Sequence, residues 1–280
     1  MGRTVFVNGE YLPEEQGKIS IFDRGLLFAD GIYEVTAVVN GRLVDYDPHM
    51  ERLERSLGEI KIGWPCSKDE LKAMHLELVK RNGLKEGMVY MQVTRGAADR
   101  DFKFPKDVLP TLVAFTQTSE ITGSPAARTG VKVITVADLR WARRDIKSVM
   151  LLAPVLAKQA AFEAGAAEAW MIEDGKVTEG ASSNAYIVKD GKVITRGLSN
   201  SILAGCTRRS LLRLAREHGV EVEERAFTAD EAYGADEAFL TSASQFVMPI
   251  VEIDGRRIGG GQPGPVARKL REIYLQEAAS

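Results

Sequence analysis

The chain has 280 residues, of which 45% are hydrophobic and 27% are charged, a composition typical of globular proteins. Its net charge of −2 gives no electrostatic reason to expect nucleic-acid binding. The two cysteines, Cys66 and Cys206, and three isolated histidines fit neither a disulfide framework nor a metal-ligand spacing. The first residues lack an apolar signal segment, and no run approaches the roughly 20 apolar residues of a membrane helix. We therefore expect a soluble cytoplasmic protein with no metal site, bound to neither nucleic acid nor membrane.

The first half of the chain predicts two hairpins and two helices. Asn8-Gly9 and Asn40-Gly41 lie between β-prone segments, and such pairs form two-residue hairpin turns because both residues tolerate positive φ. A helix is predicted over "DPHMERLERSLGEI", which opens on Asp47 and has Pro48 at its first helical position. A second helix, "SKDELKAMHLELVKRNG", begins with a capping box of Ser67 and Glu70 and ends at Gly83.

The second half predicts three more hairpins and three helices. The turns are Asp174-Gly175, Asp190-Gly191 and Asp254-Gly255. The predicted helices are "LLAPVLAKQAAFEAG", with Leu152, Val155, Leu156 and Ala160 at helical spacing, "CTRRSLLRLAREHG", with Leu211, Leu214 and Ala215 on one face, and "TADEAYGAD", with a capping box of Thr228 and Glu231.

A stretch rich in Ser, Thr, Gly and Pro, "QTSEITGSPAARTG", separates the two halves. It predicts an interdomain linker over residues 118–130, between an N-terminal α+β domain of residues 1–117 and a C-terminal domain of residues 131–280. The fold class predicted from the residues is therefore α+β with two domains.

Lys147, in "RRDIKSVMLL", is the first candidate functional residue. It lies between a β-branched run, "VKVITVADLRW", and the helix that is predicted to begin near Leu151. A side chain at a strand-to-helix junction is held rigidly, and a lysine amine can form a Schiff base. The alternative is an ordinary surface lysine with a solvated ammonium group.

Two stretches of the C-terminal half contain further candidates. Glu179, in "VTEGASSNAYIV", could pair with a protonated ring nitrogen, as pyridoxal chemistry requires, or could belong to a polar turn. In "NSILAGCTRRSLL", Cys206 and Thr207 begin a helix whose N–H groups could bind an anion or could form a plain N-terminal cap. "LTSASQ" adds a hydroxyl-rich turn that contains Ser242.

Two stretches of the N-terminal half are also candidates. Tyr33 and Glu34, in "DRGLLFADGIYEV", are adjacent on a predicted strand, so only one of them can point into a common pocket. Arg100, on the polar loop "TRGAADRDFKFP", could bind a carboxylate through its planar fork or could lie in solvent.

The motifs "DRGLLFADGIYEV", "HMERL", "DIKS", "TEGASSN" and "ILAGCTR" occur in this order along the chain, with "RWARRDIKS" and "VLAKQ" between them. Together they resemble the fold-type-IV aminotransferases that depend on pyridoxal 5'-phosphate, and within them the D-amino acid (D-alanine) aminotransferases. The resemblance extends from Val5 to about Leu275. It implies a smaller N-terminal α/β domain, a larger C-terminal domain with β-barrel-like sheets, and a homodimer with shared active sites.

The same resemblance implies a role for each candidate. Lys147 would be the catalytic Schiff-base lysine and Glu179 the partner of the pyridine nitrogen. Leu203 would pack under the cofactor ring. The phosphate contacts would come from Arg52, Cys206, Thr207, Ser242 and the backbone of Ala243. Tyr33 would line the substrate pocket, and Arg100, supplied by the partner subunit, would bind the substrate carboxylate.

The implied reaction is ping-pong transamination between a D-amino acid and a 2-oxo acid such as 2-oxoglutarate. One residue departs from the pattern, because Phe102 occupies the place of a histidine that accompanies Arg100 in the best-known D-alanine aminotransferases. A phenyl group there favours bulkier or more apolar substrates. The alternatives are a branched-chain L-amino acid aminotransferase, an (R)-amine transaminase, an aminodeoxychorismate lyase and a non-catalytic cofactor-binding homologue.

Overall fold

Six strands, three α-helices and a short 3-10 helix at Glu14–Gln16 form the first of two units in the structure, a computed structural model that describes residues 2–279. This unit extends to Glu120 and also includes Ile146–Met150. Its strands are β1 (Thr4–Val7), β2 (Glu10–Pro13), β3 (Gly31–Val39), β4 (Arg42–Leu43), β5 (Gly87–Thr94) and β6 (Thr111–Thr118). Its helices are α1 (Arg24–Phe28), α2 (Tyr46–Glu59) and α3 (Lys68–Arg81).

The strands of the first unit form one antiparallel sheet in the order β2-β1-β6-β5-β3-β4. Helices α2 and α3 cover one face of this sheet, where Leu53 and Leu71 are buried against Val89 and Met91. Burying each side chain of this size stabilises the fold by about 1.5–3 kcal/mol. The opposite face has half-buried aromatic rings, since Tyr33 and its neighbours alternate with core residues along the strands.

The second unit comprises Ile121–Asp145 and the chain from Leu151 onward. Its strands are β7 (Val131–Ala137), β8 (Glu168–Glu173), β9 (Lys176–Gly180), β10 (Asn184–Lys189), β11 (Lys192–Thr195), β12 (Val222–Glu224), β13 (Glu237–Ser242), β14 (Phe246–Ile253) and β15 (Arg256–Arg257). Its helices are α4 (Pro125–Thr129), α5 (Leu152–Glu163), α6 (Cys206–Glu217), α7 (Ala229–Tyr233) and α8 (Pro265–Ala279).

The strands of the second unit form a mixed sheet in the order β12-β11-β10-β13-β14-β7-β8-β9, with β15 paired to β14. The sheet curls, because its last strand, β9, lies against β10 near the other end of the order. The core on one face includes Trp170, Phe227 and Leu240. The α+β fold class is confirmed, with a curled sheet in the second unit.

All five predicted hairpins are present, and both residues of each dipeptide have positive φ. The predicted capping boxes are also present, at Ser67 with Glu70 and at Thr228 with Glu231. Residues 118–130, predicted as a linker, contain the end of β6 and helix α4, which contacts β14. The domain boundaries predicted from sequence stay a prediction.

Helix α5 has an unusual distribution of apolar residues. Its buried side is formed by Ala157 and Ala161, whereas the predicted apolar positions Leu152 and Leu156 are 72% and 57% exposed within one chain. Within residues 2–279 no helix is long and apolar enough to span a membrane.

Candidate active site

Lys147 is fixed to the free edge of β3 by backbone hydrogen bonds. The Tyr33 N–H donates to the Lys147 carbonyl at 3.0 Å, and the Val149 N–H donates to the Gly31 carbonyl at 3.0 Å. The Lys147 N–H points to the Ser56 hydroxyl at 3.4 Å. The sequence predicts that a strand end holds this lysine, but β7 ends at Ala137 and pairing with β3 holds Lys147 instead.

The Lys147 ammonium group lies over the ring of Tyr33, with its nitrogen 4.2 Å from the ring centroid. Tyr33 stacks on Tyr90, which stacks on Phe115, with centroid distances of 5.6 and 4.9 Å. The Tyr90 hydroxyl donates to Gln92, and burial raises the pKa of Tyr90 to about 12. Lys147 therefore lies above a rigid aromatic row, where its amine has a fixed position.

Glu34 points to the opposite face of β3, as the alternation of a strand requires. Its carboxylate accepts hydrogen bonds from Arg52 Nε at 2.8 Å and from Arg52 Nη2 at 2.7 Å, and it lies 2.7 Å from His49 Nδ1. Burial alone would raise the pKa of Glu34, but the Arg52 guanidinium and His49 outweigh it and hold this pKa well below its usual range. The motifs contain both Glu34 and Arg52, but no spacing within them predicts that the two side chains pair, because they come from different elements.

Arg100 and Phe102 are exposed on the loop between β5 and β6. The Arg100 guanidinium lies 5.4 Å from the Phe28 ring centroid and 5.5 Å from that of Phe102. The base of this loop is anchored, because Arg24 donates to the carbonyl of Asp101 at 2.6 Å. The guanidinium of Arg100 is thus presented next to two aromatic rings.

Glu179 is the centre of the polar cluster in the second unit. Its carboxylate is 2.5 Å from Arg140 Nη1 and accepts a hydrogen bond from Asn184 Nδ2 at 2.9 Å. The backbone N–H of Leu203 lies 3.1 Å from both carboxylate oxygens. Glu179 is 4% exposed, so these donors replace water around its charge.

The loop after Glu179 is held by a second buried carboxylate. Glu168 accepts hydrogen bonds from the hydroxyls of Ser182 and Ser183 at 3.0 and 2.9 Å, and Lys158 lies 3.2 Å away. A side chain at Gly180 would collide with the Ser183 hydroxyl at 2.1 Å. The Gly-Ala-Ser-Ser turn is therefore rigid, and it fixes where β9 ends and β10 begins.

Helix α6 begins beside this cluster. Gly205 is its N-cap and has no side-chain cap, while Cys206 and Thr207 are buried in the first turn. A Cβ at Gly205 would lie 2.1 Å from the Asn184 side-chain oxygen, so any other residue there would force Asn184 or α6 to move. Uncapped N–H groups at a helix start favour an anion.

Ser242 ends β13, and its hydroxyl is 3.4 Å from that of Ser244. Ser242 and the adjacent Ala243 are half-buried, as is Leu203. Each unit thus contains its own share of the predicted site residues. The first contains Tyr33, Arg52, Arg100, Phe102 and Lys147, and the second contains Glu179, Leu203, Cys206, Thr207, Ser242 and Ala243.

Comparison with known proteins identifies the family. Residues 31–253 match the family described as Amino-transferase class IV. The chain belongs to this family. It is 42% identical to a D-alanine aminotransferase of Bacillus licheniformis over 98% of both chains, and 40% identical to a D-alanine aminotransferase of Staphylococcus aureus over 96% of both.

A solved relative has the same fold. The T.th. branched-chain amino acid aminotransferase, crystallised with pyridoxamine 5'-phosphate, is 30% identical and superposes with a TM-score of 0.92 over 99% of this chain and 94% of its own. Class IV aminotransferases use pyridoxal phosphate, so the predictions of this cofactor, of a transferase and of fold type IV are confirmed.

Each unit, taken by itself, contains residues that suit one part of this cofactor. Glu179 is a buried carboxylate held by three donor groups, which suits a protonated ring nitrogen. The start of α6, where Gly205 is the N-cap without a side-chain cap, suits a phosphate. Lys147 offers a primary amine on a fixed backbone. In the described residues no group of His, Cys, Asp and Glu side chains is placed to hold a metal ion.

Proposed function

We propose that this enzyme transfers the amino group of a D-amino acid of the D-alanine type to a 2-oxo acid such as 2-oxoglutarate. The observation that supports this most is the near-full-length similarity to two D-alanine aminotransferases at 40–42% identity. The branched-chain relative is 30% identical, so its similarity argues less strongly for the branched-chain L-amino acid alternative.

In this proposal, Lys147 is the covalent attachment point of the cofactor and then moves the proton between the substrate Cα and the cofactor C4′. Bound pyridoxal phosphate supplies the electron sink. Glu179 keeps the ring nitrogen charged, and Leu203 supports the ring. Arg52, the first turn of α6 at Cys206 and Thr207, and the turn at Ser242 and Ala243 bind the phosphate.

Attachment at Lys147 can be tested by borohydride reduction of the holoenzyme followed by peptide mass analysis. We expect the cofactor on the peptide that contains Lys147 and none after Lys147→Ala. Lys132→Ala is the matched control, because Lys132 is an exposed lysine in an ion pair with Glu252. A cofactor mass on another lysine of the unaltered enzyme would refute the assignment.

The donor class can be tested with D-alanine, D-glutamate, L-leucine and an (R)-aryl amine, each with 2-oxoglutarate. We expect D-alanine to be used best. Preference for L-leucine would favour the branched-chain activity, to which the exposed Phe102 ring is also suited. Product formation without any 2-oxo acid would indicate a lyase.

The same panel tests whether Arg100 binds the substrate carboxylate. Arg100→Ala should reduce kcat/KM for D-alanine by an amount equivalent to about 1–3 kcal/mol, because it removes a charged hydrogen-bond donor. Turnover of an amine without a carboxylate should change much less. Equal losses on both substrates would contradict the role, and Phe102→His tests whether a second donor improves D-alanine turnover.

We also propose a homodimer with shared active sites, located in the cytoplasm. The exposed Leu152, Leu156 and Phe162 of α5 support the dimer, since exposed apolar patches of this kind mark protein interfaces. Cys66 and Cys206 are both free, which suits a reducing compartment.

Light scattering should give twice the chain mass for the unaltered protein and a monomer after Leu152→Glu with Leu156→Glu. Leu198→Glu is the control, because Leu198 is a 59% exposed leucine outside α5. A monomer at every concentration without substitution would refute the dimer.

A further inference from the structure

An unbroken series of alternating charges leads away from Glu179. Arg140 lies between two carboxylates, with Nη1 2.5 Å from Glu179 and with Nε and Nη2 bonded to Asp138 at 3.0 and 2.8 Å. Asp138 also accepts the Thr178 hydroxyl at 2.7 Å and lies 3.6 Å from Arg144. The Arg144 side chain, in turn, pairs with Glu173, which is partly exposed.

This series fixes the orientation of the Arg140 guanidinium. The Asp138 carboxylate accepts hydrogen bonds from Nε and Nη2 of Arg140, and this two-point pairing leaves Nη1 of Arg140 directed at Glu179. The side chain of Asp138 is fully buried and that of Arg140 is 12% exposed, so water screens these charges little. Burial opposes the charge on Arg140, but Asp138 and Glu179 outweigh it and raise the pKa of Arg140 above its usual value.

We propose that Arg140 is a positioning residue that keeps Glu179 ionised, so that the proton shared by Glu179 and the cofactor ring nitrogen stays on the nitrogen. This inference rests on the proposed role of Glu179. A guanidinium beside a carboxylate favours its charged form, and a carboxylate that is less basic does not take the proton from a pyridinium. The hydrogen bonds from Asn184 and from the Leu203 N–H also favour the ionised form of Glu179, but both donors are neutral.

Other titratable groups face the same region as Glu179. The buried phenol of Tyr186, on β10, interacts electrostatically with Glu179, and burial raises the pKa of Tyr186 so that the phenol stays neutral. Arg208 is bonded to Glu224, and the guanidinium of Arg196 donates to the carbonyl of Val177. A further buried carboxylate, Glu168, lies beside the turn after Glu179 and is bonded to Ser182, Ser183 and Lys158. Without Arg140, Asp138 and Glu179 would be two buried carboxylates that share fewer cations, and their affinity for protons would rise.

The test is nitrogen NMR of holoenzyme reconstituted with pyridoxal phosphate that carries ¹⁵N in its ring, recorded across the neutral pH range. The unaltered enzyme should show a protonated ring nitrogen throughout. In Arg140→Gln the signal should move toward the unprotonated form, and the dissociation constant of pyridoxal phosphate should rise about tenfold, the equivalent of one pKa unit. Arg140→Lys, which keeps a cation, should restore most of the protonated signal.

Two variants separate the possible failures. Glu179→Gln should lose the protonated signal, and if it does not, the proposed role of Glu179 fails together with the inference. If Glu179→Gln loses the signal while Arg140→Gln retains it at every pH, the inference alone is overturned.

Asp138→Asn keeps the Arg140 charge, and the amide oxygen can still accept one of the two hydrogen bonds that direct Arg140 at Glu179. The ring nitrogen of the cofactor should therefore remain protonated in this variant, which keeps the inference testable even if Arg140→Gln does not fold. A shifted signal in Asp138→Asn would indicate that the loop, rather than the charge on Arg140, controls the nitrogen. That result would also overturn the inference.

Discussion

Each unit contains a buried glutamate paired with an arginine, but the two pairs are built differently. In the first unit, Glu34 is bonded by two nitrogens of Arg52 and by His49, so charged or chargeable side chains supply these contacts. In the second, Glu179 combines one nitrogen of Arg140 with the neutral donors of Asn184 and Leu203. Two hydrogen bonds to one carboxylate fix the plane of the Arg52 guanidinium, so Glu34 orients Arg52. Glu179 instead receives contacts from three different groups, so these groups orient Glu179.

This difference predicts opposite dependencies. Arg52 would be positioned by Glu34 to face a phosphate, while Glu179 would be positioned by its neighbours to face a ring nitrogen. Phosphate binding by Arg52 would then fail when Glu34 is removed, and pairing of Glu179 with the ring nitrogen would fail when its neighbours are removed. Neither Glu34 nor these neighbours need touch the cofactor.

The largest expected effect is on stability after Glu34→Leu. This substitution leaves the Arg52 guanidinium buried opposite an apolar side chain, and breaking a buried pair costs about 3–5 kcal/mol of unfolding free energy. The free energy of unfolding of the apoenzyme in urea would measure this loss.

A double-mutant cycle controls for lost packing. Arg52→Leu combined with Glu34→Leu should cost clearly less than the sum of the single substitutions, because the double variant buries no unpaired charge. Additive losses would mean that Glu34 and Arg52 do not stabilise each other.

The next effect is a pH dependence that comes from Glu34. Since the folded protein holds the pKa of Glu34 below its usual value of 4.5, the pair stabilises the fold above that pH and loses this contribution as pH falls below it. Each pKa unit of lowering is worth about 1.4 kcal/mol. Comparison of the unaltered enzyme with Glu34→Gln should therefore give a stability difference that shrinks on acidification. A difference that stays constant from neutral pH into this acidic range would be inconsistent with the pairing.

The smallest expected effect comes from Gly205→Ala. The added Cβ would meet the Asn184 oxygen at 2.1 Å, so Asn184 must move away from Glu179 or α6 must shift. Overpacking of this kind costs about 1–3 kcal/mol, and we expect the lower end because Asn184 is a side chain that can rotate. The affinity for pyridoxal phosphate should also fall in Gly205→Ala, because the substitution displaces Asn184 or the start of α6.

Gly58→Ala is the matched control for this substitution, because Gly58 has open space at its Cβ position. Gly219→Ala is unsuitable, because Gly219 has a positive φ that strains any other residue. Equal cofactor affinity in Gly205→Ala and Gly58→Ala would show that the contact with Asn184 has no influence on the site.

The sequence predicts the local features of the fold well and the long-range ones poorly. Asn8-Gly9 and the four similar turns are set by positive φ, and the capping box at Ser67 is set by residues three apart. The pairing of Ile32 with Ser148 joins residues that are far apart in the chain, and no local pattern encodes it. The charge series through Asp138 and Arg140 cannot be predicted from sequence either, because a charged residue after a strand is typical of any solvated loop.

The insertion of Ile146–Met150 into the first unit has a consequence for how this protein can be divided. A fragment that ends at Glu120 would lack the segment that pairs with Gly31–Tyr33, so the edge of β3 would expose unpaired backbone groups, and the fragment would have no Lys147. A fragment that begins at Ile121 would carry the lysine without the strand that fixes it. A single cut between Glu120 and Ile121 would therefore leave Lys147 on one fragment and the strand that pairs with its backbone on the other.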